Sequence, residues 1–202
     1  MKSLQIITQP SFEPVTLAEA RLWCRVDDDD TVQDALIVML VRAMREYAEH
    51  MTGRALCSQT LELRLDEFPT NGGVIELPRP PLRSVTSIQY IDSSGTLQSL
   101  EVSPQGWQED FASEPGRVSP LTPSSGWPDA RSDELGAVRI RYVAGYAAPN
   151  FIPRLVRLWM QSRVSTLFEN REQLIVGTTV VPLPRVYVDG LLDSLNVRKM
   201  FA

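Results

Sequence analysis

The spacing of apolar residues changes twice along the 202-residue chain, and this limits the folds open to it. Up to about residue 54 they recur at every third or fourth position. Between about 58 and 145 several stretches alternate at every second position, and from Pro153 the three- and four-residue spacing returns. Helices at both ends with strands between them predict an α+β chain, its terminal helices sharing a core and a β-rich part inserted between them. The expected divisions are an N-terminal helical part (1–57), an inserted β domain (58–146), a C-terminal core helix (147–172) and an extended C-terminal arm (173–202).

In the first part, Thr16 and Glu19 have the spacing of a capping box and open a short helix ending near Cys24. Asp27-Asp28-Asp29-Asp30-Thr31 then puts carboxylates where the free N–H groups of a second helix begin; that helix is expected to end at 51 or 52, with Gly53 as its C-cap. Val32, Leu36, Met39, Leu40, Ala43, Tyr47 and Met51 form one stripe along it, widened on a flank by Ile37, Val41, Met44 and Ala48. Asp34, Arg42, Arg45, Glu46 and Glu49 are left as the polar face. So wide an arc exceeds the needs of a helix on a monomer's surface. Either one flank packs the chain's own core and the other a neighbouring subunit, or the whole helix is sandwiched within one chain. Ile37, Val41 and Met44 are the candidate subunit contacts.

In the second part, residues 60–65, 85–91 and 138–143 alternate with period two, and 74–77 and 97–102 are shorter candidate strands. Turns are expected at 71–73 and 92–95, the second closing a hairpin. Residues 103–136, rich in Gly, Pro and Ser, read as a long loop holding Trp107 and Trp127. In the third part, the helix from Pro153 to about 170 is apolar nearly all round, which predicts a core helix; Arg163 within it needs a partner if buried. Pro182 and Pro184 disfavour regular pairing in the arm, and 188–197 has room for a helix of only a few turns. The arm's Leu191, Leu192, Leu195, Met200 and Phe201 have little chain around them to bury them.

Motifs for chemistry are sparse. G-x-S-x-G, G-x-G-x-x-G and G-x-x-x-x-G-K-[ST] are absent. His50, the single histidine, sits where a helix C-terminus favours positive charge. A calcium loop starting at Asp27 needs Gly and Glu at its sixth and twelfth positions, which hold Val32 and Val38. Glu62, Asp66, Glu67 and Glu76 offer carboxylates without a recognisable acid–base pair. Cys24 and Cys57 lack zinc-ligand spacing and read as buried free thiols. The two loop tryptophans read as packing or interface residues rather than a binding platform. No metal, cofactor or catalytic residue is expected.

The longest apolar run, residues 35–41, is far short of the roughly 20 residues of a membrane span, and no secretory leader is recognisable. A soluble chain made in a cytoplasm is expected. With 20 Lys and Arg against 25 Asp and Glu, net charge −5, and its basic residues dispersed, the chain does not read as a sequence-specific DNA binder.

The order of short motifs resembles one family. Pro14-Val15-Thr16-Leu17-Ala18-Glu19-Ala20, Arg25-Val26-Asp27 and residues 43–55 are similar to the N-terminal helices of head–tail connector (adaptor, or head-completion) proteins of tailed bacteriophages. Leu77-Pro78-Arg79-Pro80-Pro81-Leu82, Gly116-Arg117-Val118, residues 141–146, Pro153 and Phe168-Glu169-Asn170-Arg171-Glu172 continue the resemblance through residue 172, in the family's longer branch with an inserted β domain. The resemblance implies a non-catalytic virion protein at the neck, made in a host bacterium's cytoplasm, with no cofactor and no membrane partner. Such proteins form a ring of about a dozen copies under the portal protein and extend the DNA channel, through which DNA passes without being read. They also give the tail, or a neck-completion protein, its attachment site, and related proteins serve gene transfer agents. On this reading the over-wide helix stripe closes the ring by a repeated heterologous contact. Leu191, Leu192, Leu195, Met200 and Phe201 would grip the portal, and roughly sixty negative charges in the ring would keep DNA from stalling. A tail-completion or other neck protein is the nearest alternative, and a hydrolase with an unrecognised Asp/Glu site the other.

Overall fold

A computed structural model of the chain describes residues 2–27, 29–100, 106–121, 126–170 and 190–197. The elements in chain order are β1 (Lys2–Thr8), α1 (Leu17–Cys24), α2 (Asp34–Thr52), β2 (Gln59–Leu65), β3 (Ile75–Leu77), β4 (Leu82–Ile91), β5 (Leu97–Ser99), β6 (Trp107–Asp110), β7 (Gly116–Pro120), β8 (Val138–Ala144) and α3 (Arg154–Glu169). A 3₁₀ segment at Gly190–Leu195 follows. The fold is α+β, and the chain divides into two compact units. One holds Met1–Ser11 and Ser58–Gly145; the other holds Phe12–Cys57 and the described residues from Tyr146 onward.

The β unit has an antiparallel five-stranded sheet, order β1-β2-β8-β4-β5, and a three-stranded sheet, order β3-β7-β6. Period-two alternation sends Leu61, Leu63 and Leu65 of β2 inward with Val138, Ile140 and Tyr142 of β8 and Ile88 of β4, all buried. Tyr142 carries a hydroxyl into this core and donates it to the Pro78 carbonyl at 2.8 Å. Ile75, Leu77 and Val118 of the second sheet are buried as well. The sheets approach so closely at Gly116 that a Cβ there would stand 2.5 Å from Leu82 Cβ, so β7 needs glycine at this point. The hairpin turn after β4 forms as expected, with the Asp92 carboxylate accepting the N–H groups of Ser94 and Thr96.

Two expectations for this region are corrected. Residues 103–136 are not one loop, because β6 and β7 pair within them from Trp107↔Pro120 to Asp110↔Arg117. The part at 1–57 is not wholly helical either: Lys2–Thr8 forms an edge strand on β2 in the register Lys2↔Leu65 to Thr8↔Thr60. Adjacent Ile6 and Ile7 blur the alternation there, and nearly every side chain of β1 is exposed, so its strand state comes from β2's hydrogen bonds.

In the helical unit, α1, α2 and α3 enclose a core of Val15, Ala20, Cys24, Ile37, Val41, Ala48, Leu56, Ile152, Val156, Trp159, Met160 and Val164. The capping box at the start of α1 is present: Glu19 N–H donates to Thr16 Oγ1 at 3.3 Å and Thr16 N–H to the Glu19 carboxylate at 2.9 Å. At the far end of α2, Gly53 takes φ 70° and donates its N–H to the Glu49 carbonyl, as C-cap glycine does. The aspartate run does not cap α2 directly. Asp30 instead accepts the Val32 N–H at 3.0 Å in a turn, and the helix begins at Asp34. Only one face of α3 is buried (Val156, Trp159, Met160, Val164), while Leu155, Leu158 and Leu167 are exposed.

Candidate interaction surfaces

The rotation of α2 about its axis decides which residues can meet a partner. Its inner face is Ile37, Val41, Arg45, Ala48, Glu49 and Thr52. Ile37 and Val41 therefore cannot be subunit contacts: both are buried in the chain's own core, and Met44 packs against it. Arg45 and Glu49, expected on the polar face, are also inside. Arg45 donates to Glu49 at 3.1 Å and through Nε to Glu13 at 2.8 Å, and the other Glu49 oxygen accepts the Leu56 N–H at 2.9 Å. A mutually neutralised pair occupies core positions that a count of apolar residues assigns to solvent.

That inward turn of the charged pair exposes the middle of the expected stripe. Met39 and Tyr47 are 57% and 47% exposed, and Ala43 lies exposed between them at the i+4 spacing of one helix face. Val32, before the helix, is 84% exposed. Tyr47 is nonetheless held in place, its ring stacked on the buried Trp159 of α3 with centroids 5.9 Å apart and planes at 4°. Apolar surface is also exposed on α1, at Leu22 and Trp23. Arg163 places its guanidinium 5.8 Å from the Trp159 ring centre, a cation–π contact.

The expected portal-gripping residues divide. Leu192 is buried in the helical core, with Leu191 and Leu195 packed against it. Three backbone-directed bonds fix this segment: Val197 N–H to Thr52 O at 3.0 Å, Asn196 Nδ2 to Met51 O at 3.1 Å, and Arg54 Nε to Leu195 O at 2.6 Å. These leucines are docked onto their own chain, which supplied the cover that local sequence could not reveal. Met200 and Phe201 lie outside the described residues.

The remaining candidates have structural surroundings. Glu62 is buried, donated to by Arg64 at 2.8 Å and Arg141 at 2.6 Å, and Asp66 accepts the Gly136 N–H at 2.9 Å. Glu67 and Glu76 are exposed, as is His50. Both cysteines are buried and free; burial, aided by the Glu13 carboxylate, pushes the Cys57 thiol up to about 12. Trp107 is buried and donates to Glu109, while Trp127 stacks on Phe68 with centroids 5.0 Å apart and donates to the Gly73 carbonyl. Both serve packing. A cleft of about 640 Å³ beside Trp127 is lined largely by turn residues from Glu67 to Gly72 and Gly126 to Ala130. No described helix is long and apolar enough to cross a membrane.

Residues 14–92 match the sequence model of the phage gp6-like head-tail connector protein family. No curated protein matches the sequence. Among solved structures, a chain from the neck of an empty gene transfer agent (GTA) particle, computed with C6 symmetry, superposes with a TM-score of 0.76 at 21% identity; the match covers 96% of this chain and 95% of that one. A chain of the native GTA virion gives 0.74 at 22% identity over 96% and 94%, and one from the native GTA neck computed with C12 symmetry gives 0.68 at 21% over 96% and 94%. The resemblance to head–tail connectors is thus borne out over residues 14–92, which match that family's model, and nearly the whole chain shares its fold with chains of gene transfer agent particles.

Proposed function

We propose that the chain is a structural protein of a particle neck, a head–tail connector that assembles with copies of itself into a ring on the DNA channel. The observation that carries this reading is the apolar stripe Met39–Ala43–Tyr47, left exposed on α2 by the inward turn of Arg45 and Glu49. Exposed apolar surface at regular helix spacing, rimmed by Arg42 and Glu46, is what a repeated contact between copies requires. A second patch at Leu22 and Trp23 gives each copy a different surface to present, as a heterologous ring contact needs. The family match over α1 and α2 and the C12 neck relative support the same role. Portal protein on one side and a tail or neck-completion protein on the other are the partners this role implies, and a connector needs no catalytic group.

Ala43→Glu and Met39→Glu test the reading, because both positions are exposed in the single chain. Each variant should keep the wild-type circular dichroism spectrum and melt, yet stay monomeric in light scattering and electron microscopy under conditions where wild type forms rings with portal complexes. Rings formed normally by the double variant would remove the α2 contact. A wild-type chain that ignores portal and tail components at every concentration would remove the connector role itself.

A further inference from the structure

The face of the five-stranded sheet turned away from the unit's core carries two cross-strand rows. In one, Gln5, Glu62, Arg141 and Ser87 are register partners from β1 through β2 and β8 to β4. In the next, Ser3, Arg64, Arg139, Gln89 and Ser99 follow one another from β1 to β5. Three guanidiniums thus share the centre of this face with a single carboxylate, on a chain whose net charge is −5.

The arrangement is costly without an anion. Arg64 and Arg139 are directly opposite, and like charges at that position destabilise a sheet. The buried Nε of Arg139 has no hydrogen-bond partner among the described residues. Glu62 is held beneath the face by the Nε groups of Arg64 and Arg141. It neutralises one of the three positive charges and fixes two guanidiniums, whose side chains are 36% and 48% exposed.

The rows contain no aromatic and no large aliphatic residue. A protein partner would want such anchors at the centre of its contact. Arginines flanked by Ser and Gln are instead the set that binds phosphate oxygens of a nucleic-acid backbone, the guanidinium forks giving charge and direction and the neutral groups filling the remaining acceptors. Arg139 and Arg141, two residues apart on one strand, stand about 7 Å from each other, so one stretch of backbone can engage both.

We propose that this sheet face, at Arg64, Arg139 and Arg141, binds the phosphate backbone of double-stranded DNA without reading its sequence. The proposal goes beyond the connector role and is tested apart from it, on the free chain without rings or portal. With two or three phosphates engaged, affinity is weak, about 10⁻⁴ to 10⁻⁵ M at low salt, and log K falls with log salt at a slope of about −2 to −3.

The experiment is fluorescence anisotropy of the full chain with two labelled 20-base-pair duplexes of unrelated sequence, across a salt series. Both duplexes should bind alike. Arg139→Gln should weaken binding several-fold and lessen the slope by about 1. Gln89→Glu, which sets a carboxylate opposite Arg139, should abolish it. Both variants keep the Glu62 partners, so folding is preserved where Arg64 or Arg141 changes could cost it. Arg117→Gln, on β7 in the other sheet, should bind as wild type does. Absent binding at 25 mM salt, or unchanged binding in both sheet variants, overturns the proposal. So does a labelled polyglutamate peptide that binds as tightly as DNA, since the partner would then be an acidic protein surface. A chain that forms rings but fails here loses only this inference.

Discussion

Arg45 and Glu49 pair at 3.1 Å across one turn of α2, and both side chains face the core of the helical unit. The pair reaches beyond its helix: Glu13 accepts from Arg45, and the Leu56 N–H donates to Glu49. Three segments are thereby tied together, and the phase of α2 is set by an ionic network as much as by Ile37 and Val41.

Removing one member should therefore be severe. Glu49→Ala leaves the buried guanidinium with Glu13 and the solvent-exposed Glu46, and the Leu56 N–H without its acceptor. A loss of about 3–5 kcal/mol in urea unfolding is expected. Arg45→Met with Glu49→Leu should cost well under the sum of the two single changes, because no uncompensated charge is left inside.

Position along α2 gives a sharp contrast. Val41→Asp places a charge in the core and should unfold the helical unit or lower its melting temperature strongly. Ala43→Glu, two residues on but exposed, should change stability by no more than about 0.5 kcal/mol. Thermal melts of the two variants side by side check the assignment of faces.

Gly116→Ala tests the approach of the two sheets. Its new methyl would stand 2.5 Å from Leu82 Cβ, so either β7 or Leu82 must move, at about 1–3 kcal/mol. Combined with Leu82→Ala, which opens space at that point, the two costs should fall short of additivity in denaturant titrations.

Glu62 predicts a pH dependence. Burial alone would raise its carboxyl, but hydrogen bonds and charge from Arg141 and Arg64 outweigh burial and hold it below the ordinary 4.5. Its folded-state value is thus below the unfolded one. The stability it contributes is complete above about 4.5 and is lost as pH falls through the lower, folded value. Urea midpoints measured from pH 6 down to pH 3 should fall for wild type, and fall less steeply for Glu62→Gln once its lower baseline is subtracted.

The thiols should be silent in the native state. Cys57 is fully buried with its pKa near 12, and Cys24 is buried with its thiol pushed up by burial and by the Glu169 carboxylate. A thiol reagent at pH 8 should label neither on the timescale of minutes, and both after addition of urea. Rapid native labelling of Cys57 would contradict the packing around Glu13, Arg45 and Glu49.

Much of the local structure was legible in the chain. The Thr16–Glu19 box, Gly53, the hairpin turn at Asp92 and the alternation of 60–65, 85–91 and 138–143 each depend on neighbours within a few residues, so the α+β order follows from short-range patterns. The outward stripe was partly legible. Met39, Ala43 and Tyr47 belong to the wide apolar arc, but periodicity cannot say which flank of such an arc is covered.

That choice waited on contacts far along the chain. Arg45 can be buried because Glu13, 32 residues earlier, comes to meet it. Leu192 is covered because the segment after Gly190 returns to the end of α2, where Val197 bonds to Thr52. Lys2–Thr8 is a strand because β2 supplies its hydrogen-bond partners. The like-charged Arg64 and Arg139 stand together only once register sets β2 against β8. Local sequence chose the type and ends of most elements, since capping, turn geometry and side-chain period act over a few residues. Tertiary structure chose which faces are inside and which charges are neighbours, since desolvation and pairing depend on residues that only the fold brings together.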